Sequence, residues 1–200
     1  MKNLLLVFLL FVSGFAVAQP RFDVVSAENF QQDLTMQYAD PTKSPLTTED
    51  LKNFHGLQFF PVSADYYINA KFIRTDDEKA FEMKTSTDRR PLYRKYGELH
   101  FTIAGKACKL NLYQNIENLK IEKYRNSLFL PFSDLTSGNE TYIGGRYIDM
   151  TIPEGDTVAI DFNRAYNPYC AYNPKYSCPA VPLENDLPVA IKAGVKTFHE

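Results

Sequence analysis

Residues 144–170 read GGRYIDMTIPEGDTVAIDFNRAYNPYC. From Tyr147 to Asn163, polar and apolar residues alternate on both sides of Glu154-Gly155-Asp156, the period of a half-buried strand rather than of a helix. A hairpin with its loop at 154–156 sets Ile152 against Val158, Met150 against Ile160 and Ile148 against Phe162, so one face is wholly apolar. A slip of one residue scatters that set over both faces, which favours this register. The other face then carries Tyr147 opposite Asn163, Asp149 opposite Asp161 and Thr151 opposite Ala159. The two carboxylates meet with Cβ atoms roughly 4.5–5.5 Å apart. Like charges so close require a shared proton, a cation between them or basic neighbours.

Strand signals continue upstream of this hairpin. Tyr66 to Arg74 alternates, Phe81 to Lys84 follows an acidic turn, and Glu98 to Ile103 and Lys106 to Tyr113 flank the turn dipeptide Ala104-Gly105. Ser127 to Phe132 is a continuous apolar run that stops at the turn-rich Asp134 to Asn139. A closing strand at Leu187 to Lys192 brings the count to about eight. Before the strands, Ser26 is placed to cap a helix running to about Tyr38, with Phe30, Leu34 and Tyr38 on one stripe. Thr47-Thr48-Glu49-Asp50 starts a second, short helix that stops by Gly56. The expected fold is mainly β (α+β): one β-rich domain, a roll, barrel or sandwich, with short N-terminal helices.

The chain begins MKNLLLVFLLFVSGFAVAQ, in which Lys2, the apolar run from Leu4 to Val12 and Ala16-Val17-Ala18 have the form of an export leader. Cleavage after Ala18 leaves residues 19–200 as one domain, secreted or periplasmic and with no membrane anchor. Loss of Lys2 takes the formal charge from −2 to −3, with no long run of either sign, so neither nucleic acid nor an anionic membrane is indicated as a partner. The 13 Tyr and 15 Phe, with no Trp, suit a sheet-rich domain. In an oxidising compartment Cys170 and Cys178 are the natural disulfide pair, a bridge worth about 2.5 kcal/mol in the chain-entropy model. Cys108 alternates with polar neighbours beside Leu110 and Leu112 and reads as a buried, inert thiol. The Cys170–Cys178 spacing does not match a zinc knuckle and there are only three His, so no metal and no cofactor is expected.

Four blocks carry a family likeness: SPLTTEDLKNFHGLQFFP (44–61), the hairpin of 97–113, LFLPFSDLTSGNETYIGGRY (128–147) and the C-terminal stretch from Gly144 to Phe198. Their order and spacing resemble DUF1684, a bacterial and archaeal domain of unknown function, with departures at Asp186 and Val195. The resemblance implies one folded unit and draws attention to the C-terminal loop. It implies no mechanism. Members of that family without leaders also keep cysteines at similar positions, which keeps a thiol role open beside the bridge.

Three functional readings remain open at this stage. In the first, the loop and the polar hairpin face bind a small polar or anionic molecule. Arg146 and Arg164 take its charge, Asn163, Asn167 and Asn185 orient it, Tyr147 lines the site, Tyr166 or Tyr142 stacks, and the Asp pair accepts hydroxyl or amine hydrogens. In the second, Asp149 and Asp161 are the acid and base of a hydrolase. In the third, the same side chains satisfy loop carbonyls and the segment is a disulfide-stapled brace with no ligand.

Overall fold

The computed structural model describes residues 21–198; the leader and its cleavage site lie outside the described residues, as does His199. Helix α1 spans Val24–Ala39 and begins a turn earlier than Ser26 suggests. Asp23 is its cap, the carboxylate accepting from the Val25 (3.0 Å) and Ser26 (3.2 Å) amides. Helix α2, Thr48–Lys52, starts as expected, with Thr47 Oγ1 accepting from the Asp50 amide at 3.1 Å.

Seven strands follow: β1 Tyr67–Arg74, β2 Phe81–Glu82, β3 Leu92–Ile103, β4 Lys106–Asn115, β5 Ser127–Phe132, β6 Arg146–Thr151 and β7 Thr157–Asp161. They form one antiparallel sheet in the order β6-β5-β4-β3-β1-β7, with β2 beside β3, which leaves no place for a two-sheet sandwich. The β3–β4 hairpin turns at Ala104 and Gly105, both at positive φ (48° and 72°), the twist that suits a two-residue turn.

The expected 147–163 hairpin does not form. Strand β6 pairs with β5 (Leu130↔Ile148, Leu128↔Met150), and β7 pairs with β1 (Ile68↔Ile160, Ala70↔Val158). The apolar face itself is as expected: Ile148, Ile160 and Phe162 are buried in the main core, with Met150, Ile152 and Val158 packed against it. Alternation dictates which side chains point inward; it is equally satisfied by other neighbours. The sheet curls until β6 and β7 face each other across a seam. The chain just past β7 closes it at one point, where Tyr147 and Tyr166 exchange main-chain bonds (2.9 and 3.0 Å).

Residues 187–192 are a second departure. Leu187, Val189 and Ile191 are buried as a strand face would be, yet they belong to no ladder. Their backbone is held instead by the 133–135 loop, through Leu187 N–H to Ser133 carbonyl (2.8 Å) and Leu135 N–H to Val189 carbonyl (3.1 Å). A smaller apolar cluster of Tyr38, Leu46, Leu57, Tyr172 and Val195 docks the N-terminal helices onto the C-terminal segment.

Candidate functional site

The C-terminal loop divides into side chains turned inward and side chains turned out. Arg146 is completely buried. Its guanidinium donates to Asp134 Oδ2 (2.8 Å) and to the carbonyls of Ile191 (2.8 Å), Ala193 and Val195 (3.4 Å). Asn163 clamps Ser63, accepting from its amide (3.0 Å) and donating to its carbonyl (2.9 Å). Asn185 accepts from the Asn111 amide (2.8 Å) and donates to the carbonyls of Asn111 (2.9 Å) and Pro131 (2.6 Å). It thereby ties β4 to β5 beside their single register pair, Tyr113↔Phe129. Asn167 donates to the Lys196 carbonyl at 2.9 Å. These four, expected to hold a ligand, are withdrawn from solvent because irregular backbone buried this deeply must find partners.

Asp149, Tyr166, Tyr147, Arg164 and Asp161 face outward into a groove. Parity on β6 places Tyr147 and Asp149 on the outer side of the sheet, opposite the core-facing Ile148. The Tyr147↔Tyr166 bridge brings the Tyr166 ring over them, and its hydroxyl donates to Asp149 Oδ1 at 2.9 Å. Tyr147 meets Phe129 edge to face at 4.6 Å, and its own hydroxyl donates to the Pro179 carbonyl. Helix α1 crosses above with Phe30, Leu34 and Gln37, tied down by Gln31 Nε2 to the Asn163 carbonyl (2.9 Å).

Between them lies a cavity of about 420 Å³ walled by Phe30, Leu34, Tyr93, Phe129, Tyr147 and Tyr166. Along the seam it adjoins a second space of about 450 Å³, lined by Asp161, Arg164, Met150 and Val158. Phe30 and Asp149 border both.

Solvent reaches Asp149, but the surrounding walls remove enough water to raise its pKa. Hydrogen bonding from Tyr166 and the charge of Arg164 partly counter that rise. Burial, then the neighbouring carboxylate, pushes Tyr166 far up, so it remains a donor. Asp161 lines the seam but does not oppose Asp149; its cross-strand partner is Tyr67. Its carboxylate is occupied by the Asn163 amide (3.1 Å) and Asn163 Nδ2 (2.9 Å), capping the 3-10 turn of 162–164. The two carboxylates thus line one space along the seam without forming the direct cross-strand pair expected of a hairpin. Arg164 is exposed, its guanidinium 4.8 Å from the Phe30 ring centre.

On the other side of Tyr147, Cys178 and Pro179 lies a third cavity, of about 280 Å³. Cys170 and Cys178 both line it, and in this structure both are free thiols. The Cys170 amide donates to Cys178 Sγ at 3.2 Å. Cys108 is buried in the main core, its thiol pushed up by that burial, as its place in β4 suggests.

The groove's α1 and strand residues went unrecognised in the sequence. Phe30 and Leu34 share an apolar helix stripe with Tyr38, and Phe129 reads as one more apolar residue of β5. The one available sign is parity, since Phe129 falls out of step with the inward Leu128, Leu130 and Phe132.

The model of a family described as a protein of unknown function, DUF1684, matches residues 52–196, most of the chain. The chain belongs to the DUF1684 family. The match spans every strand and the whole C-terminal loop but not α1, so one wall of the groove lies outside the matched region. Among solved structures, the chain is similar to the solution NMR structure of an uncharacterized protein from gene locus rrnAC0354 of Haloarcula marismortui. Identity is 30%, the TM-score is 0.67, and the alignment covers 86% of this chain and 93% of that one. No match is found among the curated proteins.

Proposed function

We propose that this DUF1684 member is an exported binding domain that takes a small, ring-bearing molecule carrying hydroxyl or ammonium groups into the groove beneath α1. The observation that carries the reading is Asp149, an outward carboxylate aimed by Tyr166 and set where the aromatic-walled space meets its neighbour along the seam. A partly desolvated acceptor left open to a cavity favours a ligand that donates hydrogen bonds. The aromatic walls supply apolar contact for a ring, and Arg164 at the seam is the one cation among the lining residues. The inward Arg146 and Asn residues brace this surface. Export rests on the leader-like residues 1–18 and is tested by locating the processed chain in a cell fractionation.

The binding test is an amide-resolved NMR titration with three probes: glucose, tyramine and benzoate. Shifts clustered at Phe30, Asp149 and Tyr166 with glucose or tyramine are expected. Asp149→Asn should weaken binding about tenfold to a hundredfold, the worth of a hydrogen bond to a charged group. Binding of benzoate alone, or no clustered shift with any probe, overturns the reading.

A further inference from the structure

We propose that Cys170 and Cys178 form a thiol–disulfide exchange centre that opens into the 280 Å³ cavity and takes a low-molecular-weight disulfide as its substrate. The proposal does not rest on the groove beneath α1, from which this cavity is divided by a wall of Tyr147, Pro168, Cys178 and Pro179 that both share.

Four features support it. First, Cys178 is fixed in place. Its segment is strapped to residues 84–86 by Ser86 N–H to Cys178 carbonyl (2.8 Å) and Ala180 N–H to Lys84 carbonyl (2.8 Å), and its own amide donates to Ser86 Oγ (3.1 Å). Second, Cys170 sits on the 3-10 turn Tyr169–Ala171, whose amide points at Cys178 Sγ, so the sulfurs share one end of the cavity. Third, the two differ in access: Cys170 is half-buried, whereas Cys178 is only 8% exposed. An accessible attacking thiol backed by a covered resolving thiol is the arrangement that exchange requires.

Fourth, the donors around Cys170 suit a thiolate. The Tyr142 hydroxyl lies 4.0 Å from its sulfur. Gly144 makes this approach possible, since a Cβ there would sit 2.4 Å from the Tyr142 ring. The cavity lining contains no Asp, Glu, Lys or Arg, so neutral donors do this work: the Cys178 thiol first, then the Ser86 and Tyr142 hydroxyls. Together they hold Cys170 down at about 6, while the neighbouring thiol pushes Cys178 up. Tyr142, raised to about 12 chiefly by burial, stays protonated.

The reaction balances without any further reagent. The Cys170 thiolate attacks one sulfur of the substrate R–S–S–R, its S–S bond breaks, and RS⁻ leaves with the electron pair. Cys178 passes its proton to the departing thiolate, attacks Cys170 Sγ and expels the second RS⁻, which takes up the proton released when Cys170 ionised. The protein loses two electrons and two protons to become the Cys170–Cys178 disulfide, and the substrate gains them as two thiols. The reverse reaction oxidises a dithiol.

The test treats the reduced, folded chain with oxidised glutathione and follows it by intact mass and peptide mapping. Wild type is expected to end as the internal bridge. Cys178→Ser should stop at a glutathione adduct on Cys170, and Cys170→Ser should not react in the folded state. Alkylation by iodoacetamide provides a readout without substitution. At pH 6, Cys170 carries about 150-fold more thiolate than an ordinary cysteine; its lower intrinsic nucleophilicity offsets about tenfold of this, so about a tenfold faster reaction than an unstructured cysteine peptide is expected. Glutathione adding to both cysteines at equal rates overturns the proposal, as does alkylation no faster than the peptide's. So does a bridge that dithiothreitol opens only after unfolding, which marks a structural staple.

Discussion

Replacing Arg146 with Met keeps most of the side-chain volume and removes the charge, which isolates what the guanidinium does. In the native fold it is an interior hub, donating to the Asp134 carboxylate and to three carbonyls of residues 191–195, all in a region without water contact. Loss of one partner of a buried ion pair costs about 3–5 kcal/mol, because the other charge stays buried and uncompensated. Asp134 keeps the donors of Thr136 N–H (2.8 Å), Thr136 Oγ1 (2.6 Å) and Ile191 N–H (3.2 Å), which favours the lower part of that range. The orphaned carbonyls push toward the upper part.

A chain of this size loses about 2–4 °C of Tm per kcal/mol, so a fall of roughly 6–20 °C is expected, with a matching drop in the urea midpoint by circular dichroism. Adding Asp134→Leu should not restore stability, because it strands the three donors that Asp134 serves. A loss below about 1 kcal/mol for Arg146→Met, or recovery in the double variant, would refute the claim that this hub fastens the C-terminal segment to the sheet.

Glu98 offers a pH test. His100 (2.9 Å), Lys109 (3.2 Å) and Lys95 (3.3 Å) surround its carboxylate and lower its pKa to about 2, with His100 the largest cause. Its folded value lies below its ordinary one near 4.5, so the unfolded chain binds more protons in that window; the stabilisation present above about 4.5 is lost as pH falls toward 2. Glu98→Gln should flatten the urea midpoint against pH across this interval, and an unchanged slope would count against the cluster. Gly97→Ala tests the close approach at the β3 bulge, where a Cβ would lie 2.3 Å from the Phe72 ring and 2.7 Å from the Ile73 carbonyl. A loss of about 1–3 kcal/mol is expected from overpacking, and a change under about 0.5 kcal/mol would show that the strand yields freely.

Side-chain parity was legible in the sequence wherever it alternated. Ile148, Met150, Ile152, Val158, Ile160 and Phe162 were expected on one apolar face and share one core. Strand partnership was not legible, because a pleated segment carries no mark of which neighbour completes its ladder, and the short connection 152–156 is compatible with a hairpin. The 187–192 segment failed for a related reason: its alternation is genuine, but side chains and loop carbonyls satisfy its backbone. The polar residues of the loop posed the harder problem. An Asn that clamps a carbonyl and an Asn that holds a ligand have the same composition and spacing, and only the curl of the sheet sends Asn163 and Asn185 inward while leaving Asp149 and Tyr166 at the surface. Asp23 and Ser26 are both good caps one turn apart, so helix composition could not choose between them.

The incomplete seam has a consequence for how copies of this chain behave at high concentration. A sheet that ends in β6 and β7 presents unpaired amides and carbonyls, and such borders recruit strands from other molecules. Tyr166 occupies one position on β6, and α1, with Phe30 beside the seam and Gln31 fastened to the Asn163 carbonyl just past β7, covers part of what remains. The helix that walls the groove is therefore also a guard against edge-to-edge aggregation. Trimming it away would uncover that part of the seam, so solubility and pocket shape are two properties of one sixteen-residue helix.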